Sequence, residues 1–169
     1  MKTYVIILSK FFPKTHKRAG QPTNFNSSFS AGQLCTKCEK SKIEMCMGEC
    51  FANVKLHTIR GNYQLWEKRI KEVQNGGAVL SIREWSGKPY GSPQIEIARL
   101  TAEDGVGIQM LEYVDSGYCK SVRVDNALQS CIKIDTIAEN DGLSKRDWED
   151  WFTKHEEYMA IIHFTKFRY

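Results

Sequence analysis

The chain has no apolar run that approaches the ~20 residues a membrane-crossing helix requires, which argues against a helical membrane protein. Its N-terminal run Tyr4-Val5-Ile6-Ile7-Leu8 is too short for a secretory hydrophobic region. It leads into Ser9-Lys10-Phe11-Phe12-Pro13, not into a cleavage site of small residues, so it is expected to be the first strand of a cytoplasmic protein. Strong charge of one sign is also missing. Lys and Arg number 24 against 20 Asp and Glu, for a net charge of +4 and a pI near 8.7. That is a mild bias toward polyanions, weaker than a committed nucleic-acid binder usually carries. There is no internal repeat and no low-complexity segment, and neither His57 nor His163 has zinc-ligand spacing to a partner.

What remains is an ordinary globular composition. The 169 residues are 41% apolar and 26% charged, which suits a single domain over 1–169 that buries roughly two-thirds of its unfolded surface. A strand is expected at 3–9, then a basic loop from Lys10 to Asn24. Phe25 and Phe29, four apart, predict a short helix ending near Gly32. Asn62 can cap a helix over 62–75 with an apolar stripe of Tyr63, Trp66, Ile70 and Val73, stopped by Gly76-Gly77. Strand patterns follow at 78–85, about 93–100, 106–114, 118–124 and 130–136. Ser144 reads as an N-cap with Asp147 at the third helical position, Leu143 and Trp148 as a staple, and Trp148, Trp151 and Phe152 facing inward. Tyr158 to Phe164 is the last strand. The expected fold class is α+β, a mixed barrel of five to six strands with about three short flanking helices.

Three segments carry candidate chemistry. Lys55-Leu56-His57-Thr58-Ile59-Arg60 crowds two cations, an imidazole and a hydroxyl into six residues, and Lys55 and Thr58, three apart, meet on one face of a helical turn or tight bend. A lysine beside a hydroxyl holds an anion or activates a nucleophile; the plain alternative is an ordinary basic strand or helix entry. Between Gly32 and Lys55, the stretch over 33–54 holds Cys35-x-x-Cys38 and Cys46-x-x-x-Cys50, four of the six cysteines within sixteen residues. Four thiolates suit a tetrahedral structural Zn²⁺ in a small knuckle, with a disulfide pair or free thiols as alternatives; a reducing compartment favours zinc. Cys119 and Cys131 lie in strand-like runs and read as core. The turn-rich segment from Arg83 to Ser92 carries Trp85 and Tyr90 with two cations. Such a mixture can stack an unpaired base and contact phosphate, although Trp85 can equally close the barrel end.

The order of these parts resembles the ASCH family, a branch of the PUA-like β-barrel superfamily associated with RNA and modified nucleosides. The resemblance rests on the helix Phe25 to Gly32, the signature Lys55-x-x-Thr58-x-Arg60, and the acidic Asp141 ahead of a capped helix and a closing strand, with Glu139 as a second choice. It implies a PUA-like barrel with a cysteine-rich insert and a pocket for RNA or a modified nucleoside, with His57, Arg60, Trp85 and Tyr90 as ligand contacts. Some small family members resemble amidohydrolases that remove an acyl group from N4 of acylated cytidine. Carried over, Thr58 is the nucleophile, Lys55 the base, and Asp141 orients them. Two departures weigh against turnover: Asp stands where the family has the longer Glu, and the loop before Lys55 is rebuilt around cysteines. Binding therefore ranks above hydrolysis, and a protein-interaction module built on the cysteine loop is the third reading.

Overall fold

The computed structural model describes residues 1–37, 53–115, 120–125, 131–152 and 158–169. Among these residues the chain is α+β, with four helices and two sheets. The first sheet has the order β1-β3-β4, with β1 at Lys2–Ile7, β3 at Ala78–Trp85 and β4 at Gln94–Leu100. β1 runs parallel to β3, and β3 runs antiparallel to β4. The second sheet is antiparallel throughout. Its order is β2 (His57–Arg60), β8 (Met159–His163), β5 (Gly107–Asp115), β6 (Lys120–Val124) and β7 (Cys131–Lys133). The described pairings leave β1, β4, β2 and β7 as edges, so hydrogen bonds do not close these strands into a barrel. Side-chain packing joins the sheets instead, and one core cluster takes in Ile6 and Leu80 of the first sheet with Leu111 and Ile161 of the second.

Helix α2 (Tyr63–Gln74) forms as its sequence predicts. Asn62 adopts a left-handed conformation (φ 55°), and its side chain accepts from the Leu65 N–H at 3.1 Å. Trp66, Ile70 and Val73 lie on one face and are buried against β3, β5 and β8, with Tyr63 half-buried beside them. Gly76, at φ 75°, ends the helix in a conformation that other residues adopt at a cost. The second capped helix, α4 (Lys145–Trp151), also matches expectation: Ser144 Oγ accepts from Asp147 N–H at 3.1 Å, and Leu143 and Trp148 are both buried.

Three elements differ from the sequence reading, each for a local reason. Helix α1 (Phe25–Lys37) runs through Gly32 and does not end there. The glycine is needed for close packing, because a Cβ at that position would lie 2.8 Å from the Lys55 carbonyl oxygen. The predicted strand over 130–136 is β7 followed at once by helix α3 (Ile134–Asn140), since Ile134, Ile137 and Ala138 at helical spacing bury one face. The Lys55 segment is neither a helical turn nor a bend. It enters as an isolated antiparallel bridge between Lys55 and Asp141 and continues as β2. No helix among the described residues is long and apolar enough to cross a membrane.

Candidate functional site

The backbone around Lys55 is tied down on three sides before its side chain does anything. Lys55 N–H donates to Ser28 of α1 at 2.9 Å, Leu56 N–H to Asn140 of α3 at 2.8 Å, and Phe164 N–H, just past β8, to Leu56 at 2.9 Å. Asp141 caps the C-terminus of α3, and Gly142 (φ 76°) turns the chain toward α4, with its Cα side packed near the Lys55 side chain. The Lys55 ammonium therefore arrives at the carbonyl end of a helix, where a cation is favoured and a carboxylate is not.

Both partners of the resulting ion pair are buried, Lys55 to 1% and Asp141 to 3% exposure. Lys55 Nζ donates to Asp141 Oδ1 in a short contact and to the Asp141 carbonyl at 2.7 Å. It also sits 4.1 Å from the centre of the Phe25 ring. Burial pulls the Lys55 pKa below its ordinary value, against the raising pull of Asp141. Burial pushes the Asp141 carboxyl up, against the lowering pull of Lys55 and Arg60. Each charge is costly alone and is held by the other.

On β2, Thr58 and Arg60 are two apart and share a face, while His57 and Ile59 share the opposite one. Thr58 is buried, and Arg60 reaches across to the first sheet, where its Nη2 donates to the Ile7 carbonyl at 2.8 Å. Lys55, Thr58, Arg60 and Asp141 line one pocket with Ile7, Leu8, Ser9, Phe25, Leu143, Trp151 and Phe152. Its interior space, ≈ 20 Å³, holds about one water. Beside it runs a far larger groove of ≈ 740 Å³, lined by Lys10, Phe11, Lys14, Trp85, Pro89 and Tyr90 among others. Ile7, Ser9 and Arg60 line both spaces.

The sequence-predicted residues thus fall into two joined groups. Lys55, Thr58 and Asp141 converge in the pocket, Trp85 and Tyr90 lie in the groove, and Arg60 belongs to both. The Trp85 and Tyr90 rings pack against each other at 5.4 Å between centres, tilted by 50°, and Tyr90 is 93% exposed with a left-handed backbone (φ 64°). An exposed aromatic held in an unfavourable conformation at a groove edge is a feature typical of binding sites. Arg83, by contrast, is occupied by Ser81 and Glu96. His57 does not line either space; it is fully buried and faces Tyr169 and His163. His163 is fully buried, with neither ring nitrogen hydrogen-bonded among the described residues. Glu139, the second choice for the acidic position, is exposed.

Phe25 and Trp151 were not legible as site residues, because their placement depends on contacts across the whole chain. Only the apolar spacing of Phe25 and Phe29 hinted at the first. Of the expected zinc ligands, Cys38, Cys46 and Cys50 lie outside the described residues, as does the side chain of Cys35, whose backbone belongs to α1. Cys119 and the Cys131 side chain lie outside them too. No family model, curated protein or solved structure matches the chain.

Chemically, the pocket is a preformed cation site. Lys55 spends two donors on Asp141 and turns toward an aromatic ring, which describes a held ammonium more than a free base. Base action at Thr58 would require the neutral amine, a state that burial favours and Asp141 opposes.

Proposed function

We propose that this chain binds RNA or a modified nucleoside through an ASCH-like, PUA-like site, in the cytoplasm, with the groove taking the base and the pocket taking a small polar group attached to it. The observation that carries the reading is Arg60, which lines both the buried Lys55–Thr58–Asp141 pocket and the groove holding Trp85 and Tyr90. A groove of ≈ 740 Å³ falls within the ~300–1,000 Å³ range of small-molecule sites. Lys14 and Arg60 along it supply charge for phosphate, Lys10 being paired with Glu84 at 3.4 Å, and the two aromatic rings supply stacking faces. The pocket admits an oxygen or amino group but not a ring, which suits recognition of a substituent.

Titration of a fluorescent single-stranded RNA oligomer and of cytidine 5′-monophosphate tests this. Arg60→Ala should weaken binding by about 1.5–3 kcal/mol through loss of a charged hydrogen bond. Trp85→Ala should weaken it by about 1–3 kcal/mol through loss of stacking. Affinity for RNA should fall as salt rises. If Arg60, Trp85 and Thr58 variants match wild type in every titration, the reading fails and the cysteine-loop interaction module becomes the better one.

Convergence of Lys55, Thr58 and Asp141 in one pocket favours amidohydrolysis of N4-acylated cytidine as the second reading. Incubating acylated cytidine with the protein separates the two. Consumption by wild type that Thr58→Val abolishes while ligand binding persists would establish catalysis; binding without turnover leaves a binding site.

The insert is proposed to hold one structural Zn²⁺ through Cys35, Cys38, Cys46 and Cys50. Zinc affinity in so short a loop is local folding energy, so chelation should unfold the insert while the sheets persist. Purification under reducing conditions with stoichiometric zinc and protected thiols is the expected result. Absent zinc with all four thiols freely alkylated refutes it.

A further inference from the structure

Behind the pocket, on the opposite face of β2, lies a buried polar cluster that the proposed site does not use. His57 and His163 are register partners on β2 and β8, with ring centres 5.7 Å apart. His57 Nε2 lies 2.7 Å from Tyr169 Oη, and Asn140 Nδ2 donates to the same hydroxyl at 3.0 Å. Tyr169 is fixed by Gln109, whose side-chain oxygen accepts from Tyr169 N–H at 2.9 Å. With Asn140 filling a lone pair, the Tyr169 proton is directed at His57 Nε2. In the tautomer this arrangement favours, Nε2 is the acceptor and the ring proton sits on Nδ1.

Nδ1 itself is buried and has no hydrogen-bond partner among the described residues. It lies 4.0 Å from Asp141 Oδ1, the same oxygen that Lys55 Nζ holds. Two hydrogen bonds of about 2.8 Å need more room than that, so no water fits in line between the two groups. A small shift of the carboxylate closes the gap directly. Asp141 thus has one engaged donor on its pocket side and one waiting donor behind.

We propose that His57, set in its Nδ1–H tautomer by Tyr169 and Asn140, is a positioning residue that takes over Asp141 Oδ1 when Lys55 turns to a ligand. The part of this that concerns a ligand rests on the binding reading above; the exchange of partners does not. The exchange removes the main obstacle to Lys55 acting in the pocket, namely that its departure strands a buried carboxylate. The charged and titratable groups around the exchange are Lys55 and Arg60 on the strand side, Asp141 at the end of α3, His163 across the β2–β8 pair with Arg168 beyond it, and Tyr169. Burial above all, with His163 and the cationic Lys55 adding to it, keeps His57 neutral. Without that cation, Asp141 favours the imidazolium.

Long-range ¹⁵N NMR of the histidine rings in the full chain tests the proposal. The wild type should show His57 neutral with the proton on Nδ1, and Tyr169→Phe should give a mixture of tautomers. In Lys55→Met the His57 midpoint should rise by at least one pH unit, a tenfold gain in proton affinity, and adding Asp141→Asn should cancel the gain. A His57 that carries its proton on Nε2 in the wild type overturns the proposal. So does one whose tautomer ignores Tyr169→Phe, or whose midpoint ignores Lys55→Met. If Lys55→Met does not fold, the first two measurements decide alone. Adding cytidine 5′-monophosphate separates the two ideas. No binding, with the Lys55→Met shift present, refutes the nucleotide reading and leaves the partner exchange standing, whereas binding that leaves His57 Nδ1 unmoved overturns the exchange.

Discussion

Asp141→Ala is expected to lower the unfolding free energy by about 3–5 kcal/mol, because it leaves a buried ammonium without its counter-charge. Lys55 keeps the Asp141 backbone carbonyl and the face of Phe25, but neither neutralises it. The sharper test is the pair. Lys55→Met with Asp141→Leu removes both charges and fills the space with apolar groups, so most of the lost stability should return. Urea unfolding at neutral pH measures both. A loss for Asp141→Ala within about 1 kcal/mol of wild type would mean that Lys55 sheds its proton or reaches water, and the pocket could not be the fixed cation site described above. Full recovery in the double variant would also show that the charges are kept for something other than stability, which is the expectation for a binding or catalytic pair.

The residues that make this pair were readable from the sequence, but their geometry was not. Lys55, Thr58 and Arg60 stand close together in a segment rich in polar chemistry, and Asp141 precedes a well-capped helix, so each attracted notice locally. The expectation that Lys55 and Thr58 meet on one face of a helical turn came from their spacing of three. The segment is in fact an edge strand of four residues, too short to display an alternating pattern, and Lys55 is brought to the pocket by the bridge to Asp141, 86 positions away. Helix α2 and the cap at Ser144 were legible because their signals are local: a cap side chain, an apolar stripe, a glycine stop. Helix α3 was hidden by β-branched residues, Ile134, Thr136 and Ile137, that favour strands until the i, i+3, i+4 burial of Ile134, Ile137 and Ala138 decides the matter.

Openness of the sheets was unreadable for a related reason. Seven strand-like runs in sequence fit a closed barrel as well as two sheets, and only pairing distinguishes them. The parallel match of β1 to β3, separated by α1, β2 and α2, divides the chain into a three-stranded and a five-stranded layer. That division sets the site. Arg60 on an edge of one sheet donates to Ile7 on an edge of the other, so the pocket and the groove lie where the two layers meet.

Acid should unfold this protein with an uptake of about two protons, and stability should fall by about 2.7 kcal/mol per pH unit through the region near pH 5. The two protons belong to His57 and His163, both fully buried. Burial lowers the His163 pKa from 6.5 to about 3, with Arg168 adding to the effect, and pushes His57 well below 6.5, with His163 and Lys55 adding to it. Below pH 6.5 the unfolded chain protonates both rings and the folded one does not. The unfolded state therefore binds more protons, and stability present at neutral pH is lost as the pH falls from 6.5 toward 3. Asp141 acts in the opposite sense at the acid end, since its raised pKa lets the folded state take up a proton first and offsets part of the loss. Urea midpoints collected from pH 7 to pH 4.5 give the slope directly. His163→Asn should reduce it to about 1.4 kcal/mol per pH unit, the value for one proton. A wild-type slope near zero would mean that both rings are charged or hydrated in the folded state, and would remove the neutral His57 on which the exchange of partners at Asp141 depends.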